Sequence, residues 1–281
     1  MRLDGRIALV TGASSGIGAE TALGLARLGA RVGLVGRDAE RTARAAERVR
    51  RETGGAADTF LADLSSQAGI RRLAAEVRAA YPALDILVNN AGAIFSQRHV
   101  TVDGIERTWA LDHLAYVLLT HELIGALHAA PRARIVNLAS AAHTRGRIDV
   151  EDLGGERRYS AMKAYAQAKL GNVLFTCALA RRLAGSGVTV NAVHPGVVAS
   201  DFARNTNGLL GFAWGLIRPF LISTEAGART SLHVATAPEL DGMTGRYFAK
   251  CRETPSSALS RDEALQERVW TLSRRQVGIE G

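Results

Sequence analysis

Short apolar runs alternate with amphipathic stretches along most of the 281 residues. Ile7-Ala8-Leu9-Val10 is a run of buried-strand type, and from Ala19 to Leu28 the residues Thr21, Ala22, Leu25 and Leu28 recur at helical spacing. The same patterning predicts strands at 31–35, 58–61, 85–89, 134–139 and 188–193, and helices at 39–53, 66–81, 104–129 and 162–183. Gly54-Gly55 closes the second helix, Pro82 stops the third and Pro131 follows the fourth. Beyond Pro195 the pattern loosens into an apolar segment, a helix at 224–235, a short strand near Tyr247-Phe248 and a polar tail helix at 261–275 capped by Ser260. Strands and helices in regular alternation predict an α/β fold, a single doubly wound domain over 1–281 with a central parallel sheet and helices on both faces. No internal repeat, low-complexity tract or linker interrupts it.

Composition narrows the partners. A hydrophobic share of 47% is ample for a core of this size. The net charge of +8 rests on arginine, since Lys163, Lys169 and Lys250 are the only lysines. These arginines are interleaved with acids and form no solid basic block, which argues against a nucleic-acid face. Arg37, Arg41, Arg44, Arg48 and Arg51 form one stripe on the second helix, expected to be a solvated face in all but Arg37. Cys177 and Cys251 lie in unrelated contexts and suit two free thiols in a reducing compartment; no metal site is expected. The first strand follows the N-terminus almost directly, and the longest greasy segment, 209–222, carries Arg218. A soluble, cytoplasmic chain without a signal peptide or membrane anchor is the expectation.

Chemistry gathers where the predicted strands end. Thr11-Gly12-Ala13-Ser14-Ser15-Gly16-Ile17-Gly18 links the first strand to the first helix. A glycine turn there lets main chain approach a dinucleotide pyrophosphate, with the free N–H groups of the helix start facing its charge. After the second strand comes Gly36-Arg37, where an acid would take the adenosine ribose; Asp38 is one residue late and suits a helix cap. A guanidinium at that edge suits a 2′-phosphate, so NADP(H) is expected over NAD(H). Asp63-Leu64, after the third strand, is placed to meet the adenine, and Asn89-Asn90-Ala91-Gly92, after the fourth, lets the chain pass close to a ribose. Ser140 follows the fifth strand, and Tyr165 and Lys169 share one helical face. Tyr159 and Lys163 repeat that spacing, but Ser160 looks like a helix N-cap, which leaves Tyr159 outside the helix.

Taken together these residues resemble the short-chain dehydrogenase/reductase family, from about Leu3 to Lys250, with Val193-His194-Pro195-Gly196-Val197-Val198 completing the match. Arg158-Tyr159-Ser160 and 169–175 resemble its retinol-dehydrogenase-like branch. The resemblance implies a Rossmann-type fold in which Gly12, Ser14, Ser15, Gly16, Ile17, Gly18, Arg37, Asp63, Leu64, Asn90, Ala91, Gly92, Tyr165, Lys169, Pro195, Gly196 and Val198 hold the nucleotide. It implies Tyr165 as general acid, Lys169 as the cation that lowers the phenol and holds the nicotinamide ribose, and Ser140 as the group orienting the carbonyl oxygen. Asp112 stands where the family usually has an asparagine of the proton relay; it is expected to keep the relay while raising Lys169 and Tyr165. The cluster Leu209, Leu210, Phe212, Trp214, Ile217, Phe220 and Leu221 falls at the family's substrate lid, about 199–223, and equally suits a core or dimer-contact helix. His113, His121 and His128 read as packing or surface residues, and His194 as structural. The expected activity is NADP(H)-dependent reduction, or the reverse oxidation, of a lipophilic carbonyl, in a homodimer or homotetramer. A dinucleotide-binding member with a non-redox role (cyclase, epimerase or sensor) is the alternative.

Overall fold

The computed structural model describes residues 2–196 and 222–279. Their strands form one sheet in the order β3-β2-β1-β4-β5-β6-β7-β8. These are β1 Ile7–Thr11, β2 Arg31–Gly36, β3 Ala57–Leu61, β4 Ile86–Asn89, β5 Arg134–Leu138, β6 Thr189–His194, β7 Tyr247–Ala249 and β8 Arg252–Glu253. All neighbours run parallel except β7 and β8. The expected strands are all present; β8, which pairs Phe248 with Glu253 across a two-residue turn, is an addition.

Both faces of the sheet are buried, because successive side chains point to opposite sides and both sides are apolar. Leu9, Val35, Leu87 and Ile135 enter one core cluster, and their neighbours Val10, Leu34, Val88 and Val136 the other. Helices α1 Gly16–Arg27, α2 Ala39–Thr53 and α7 Thr224–Thr236 supply the second cluster with Leu23, Val49 and Val234. The first is filled from α3 Gln67–Ala80, α5 Ala115–Ala129, α6 Ala161–Arg182 and α8 Glu263–Gln276. Among the described residues no helix is long and apolar enough to cross a membrane.

Three helix starts depart furthest from the expected ones. α1 begins at Gly16, inside the glycine turn, instead of at Ala19. The helix expected over 104–129 starts later, at α4 Arg107–Trp109, since Gly104 adopts φ +76° in a turn; it then passes through a π-helical turn, Ala110–Leu114, into α5. The tail helix is capped by Asp262, whose carboxylate accepts the Leu265 N–H, and not by Ser260, whose hydroxyl is spent on the Ser257 carbonyl. Asp38 caps α2 through the Arg41 N–H, as its late position suggested.

The strand order reverses between β1 and β4, and a crevice opens there at the carboxyl ends of the strands. It is a cleft of about 1340 Å³.

Candidate active site

The glycine turn forms one wall of this cleft. Gly12 has φ +65°, and a methyl group there would come within 2.9 Å of Ala91 Cα. A methyl at Gly18 would meet the Gly12 carbonyl oxygen at 2.4 Å. Thr11 ties the turn to β4: its hydroxyl accepts the Asn90 and Ala91 N–H groups at 2.9 and 3.0 Å, while Asn90 Nδ2 donates to the Thr11 carbonyl at 2.7 Å. The first turn of α1 carries no acid, and Ser15, at the N-cap, makes no side-chain cap bond. Among the described residues, the positive end of the helix dipole and its N–H groups therefore face the cleft with no acid or side-chain cap of their own helix. A cradle of bare main chain beside such a helix end fits a pyrophosphate.

Arg37, Asp63, Leu64, Asn90, Ala91, Gly92, Pro195 and Gly196 line the same cleft. The Asp63 carboxyl lies below its usual range: partial burial opposes ionisation, but hydrogen bonds from the Ser65 hydroxyl and N–H outweigh it. Val198 and the expected lid cluster from Leu209 to Leu221 lie outside the described residues.

Ser140, Tyr165 and Lys169 converge on the cleft floor. Ser140 follows β5 and caps a short 3-10 turn, its Oγ accepting the Ala142 N–H at 3.2 Å. Tyr165 and Lys169 lie in the first turns of α6, both buried, with Lys169 Nζ 5.5 Å from the phenol ring centre. The Tyr165 phenol stands well above its ordinary range because burial disfavours the phenolate; the Ser140 hydrogen bond opposes this, and the Asp112 charge adds to it. The depression expected from Lys169 is thus not what prevails. The Lys169 ammonium has its own counter-charge, Asp112 Oδ2, at 3.3 Å. Burial pushes the Asp112 carboxyl up to about 6, against the pull of Lys169 and of the Ala93 N–H.

Tyr159 lies before α6, as its position ahead of Ser160 suggested. Its hydroxyl donates to the Phe95 carbonyl at 2.9 Å, fixing it at the cleft edge, and Lys163 is exposed. Ser160 occupies the N-cap position but makes no capping hydrogen bond. His121 and His128 are exposed, whereas His113 is wholly buried and bridges three elements. Asn172 spends its amide N–H groups on the Asp112 and Leu138 carbonyls, so its Oδ1 must accept from His113 Nδ1, 3.0 Å away. His113 Nε2 then accepts the Ser273 hydroxyl of α8 at 2.8 Å. The structure also adds Ile94, Phe95, Arg41 and Arg107 to the cleft lining. Arg41 was visible only as one member of a helical stripe; Arg107, packed over the Phe95 ring at 4.6 Å, carried no sequence signal.

A doubly wound parallel sheet with a phosphate-sized glycine cradle and a serine, tyrosine and lysine gathered beside it defines a nucleotide-dependent oxidoreductase of the α/β class. Residues 6–208 match the short chain dehydrogenase family, and the chain belongs to that family. It is 42% identical to retinol dehydrogenase 12 of Mus musculus over 281 residues, 100% of this chain and 89% of that protein, which sets it in the retinol-dehydrogenase-like branch. Its fold resembles that of an uncharacterised protein from Mycobacterium paratuberculosis, with a TM-score of 0.82, 32% identity and coverage of 99% and 96% of the two chains. A short chain dehydrogenase from Burkholderia cenocepacia, solved in complex with NADP, gives a TM-score of 0.72 at 30% identity, with coverage of 89% and 97%.

Proposed function

We propose that the chain reduces a lipophilic ketone or aldehyde, reversibly, with NADPH as the preferred nucleotide. The observation that carries this reading is the convergence of Ser140, Tyr165 and Lys169 beside the glycine cradle in one cleft. When bound, the nicotinamide nucleotide supplies the hydride. Gly12, Ser14, Ser15, Gly16, Ile17 and Gly18 would hold its pyrophosphate, and Asp63 and Leu64 its adenine. Arg37 would meet the 2′-phosphate, and Asn90, Ala91, Gly92 and Lys169 the nicotinamide ribose. Pro195, Gly196 and Val198 would wall the nicotinamide.

Ser140 orients the substrate oxygen and stabilises the charge that develops on it. Tyr165 gives that oxygen its proton, and Lys169 balances the phenolate left behind. Ile94, Phe95, Ala142 and Met162, which line the same cleft as Tyr165, favour an apolar substrate, as does the similarity to retinol dehydrogenases.

A panel of apolar aldehydes and ketones, retinaldehyde included, tests the reading through NADPH consumption. Tyr165→Phe is expected to lower kcat at least about 100-fold while leaving NADPH binding, followed by fluorescence, within about twofold. A fully active Tyr165→Phe variant would overturn it.

A further inference from the structure

Asp112 places a carboxylate in the floor of the site. Its side chain has no exposed surface, and that of its partner Lys169 is 3% exposed. Oδ1 is occupied, accepting the Ala93 N–H at 2.9 Å. Among the described residues Oδ2 accepts no hydrogen bond; it faces Lys169 Nζ at 3.3 Å as an ion pair. The position is rigid: Asn172 holds the Asp112 carbonyl at 2.8 Å, and a methyl group on Gly92 would come within 2.9 Å of Oδ2.

The ionisable groups around this carboxylate are few. Lys169 and Tyr165 face it from α6, Tyr116 from α5, Tyr159 from the segment before α6, and Glu106 from just before α4. The Glu106 carboxylate is engaged by the Thr108 and Trp109 N–H groups. The adjacent His113 turns away toward Asn172 and Ser273, and burial keeps it neutral. Lys169 is the cation of this set.

The two directions of the reaction need opposite forms of the phenol. In reduction the carbonyl carbon accepts hydride from reduced nicotinamide and the carbonyl oxygen takes the Tyr165 proton; the phenolate recovers a proton from water. Oxidation is the reverse: the phenolate must exist first, to take the alcohol proton as hydride leaves for the oxidised nicotinamide. An uncompensated ammonium beside the phenol would favour phenolate, and so oxidation near neutrality. A carboxylate in contact with that ammonium cancels much of its field at the phenol.

We propose that Asp112 neutralises Lys169 and so holds Tyr165 in its proton-donating form, keeping carbonyl reduction level from neutral into alkaline solution and confining full alcohol oxidation to alkaline solution. The inference rests on the reading of Tyr165 as proton donor, and it makes Asp112 a positioning residue that acts through Lys169. The raised Tyr165 phenol, with the Asp112 charge among its causes, agrees in direction.

Asp112→Asn is the test, because an amide oxygen keeps the Ala93 hydrogen bond while the charge is lost. Two quantities are compared with the parent chain: kcat/KM against pH in both directions, and phenolate absorbance of the nucleotide-free protein, with Tyr165→Phe identifying the transition of that residue. The phenolate transition should move down by about one pH unit or more. Oxidative kcat/KM at pH 7, taken as a fraction of its own alkaline plateau, should rise about tenfold. An unmoved phenolate transition in folded Asp112→Asn overturns the inference. If that variant does not fold, the parent chain decides: its reductive kcat/KM should hold level beyond about pH 9, and a decline beginning below about pH 8 overturns the proposal. A Tyr165→Phe variant that stays active sinks the underlying reading, whereas an inactive one beside an unshifted Asp112→Asn sinks this inference alone.

Discussion

Asp38 spends one carboxylate oxygen on the Arg41 N–H, capping α2, and does not line the cleft. Arg37 and Arg41 line the cleft, and Arg37 lies close enough to Asp63 to help lower its carboxyl. The arginine stripe read along α2 divides accordingly. Arg44 pairs with Glu40, and Arg48 with Glu20 and Glu52, which is the solvated face the pattern suggested. Arg41 departs from it because it lies in the first turn of α2, beside the end of β2 where the cleft opens. If Arg37 meets a 2′-phosphate, Arg37→Asp should weaken NADPH binding about 10- to 100-fold, the worth of one charge-assisted hydrogen bond, and leave NADH little changed. Fluorescence titration with both nucleotides checks this; an unchanged preference would remove the case for NADP(H).

Elements with a long period were legible in the sequence, and devices of one to three residues were not. The strands of 31–35 and 188–193 and the helix at 39–53 follow from apolar repeats that no neighbour could mimic. The cap of α8 is Asp262 and not the expected Ser260, whose hydroxyl is already bonded to the Ser257 carbonyl. The π-helical turn at Ala110–Leu114 has no signature of its own, because one extra residue in a turn leaves the flanking periods intact. The hairpin between β7 and β8 was hidden for the opposite reason: its turn uses the wrong residues. Lys250 and Cys251 take φ of +52° and +57°, a conformation that Asn-Gly adopts readily and side-chain-bearing residues resist. Replacing the pair with Asn-Gly, as Lys250→Asn with Cys251→Gly, should stabilise the chain by about 1 kcal/mol. The midpoint of urea unfolding measures it, and a lower midpoint would contradict the strain.

At the scale of the whole molecule, the buried histidine links acidity to stability. Burial pulls His113 down to about 4, so between its unfolded value of 6.5 and that point the unfolded chain binds the proton and the native one does not. Stability from this group is therefore complete above about pH 6.5 and is lost as pH falls toward 4, by up to about 3 kcal/mol. Asp112 has the opposite sign: its carboxyl is raised, so the native state gains relative stability as pH falls through about 6. His113→Gln, which removes the first titration and keeps the second, should show a smaller acid loss than the parent in denaturant midpoints compared at pH 7 and 4.5. An equal loss would mean that His113 does not stay neutral in the fold.

The floor of the cleft hangs on a residue near the far end of the chain. Ser273 steadies His113, His113 steadies Asn172, and Asn172 pins the carbonyls beneath Lys169. The residues of the glycine cradle, in β1, α1 and β4, are made early in synthesis, but this support stays incomplete until position 273 has cleared the ribosome. The proton-handling half of the site is thus the last part of it to be completed during synthesis.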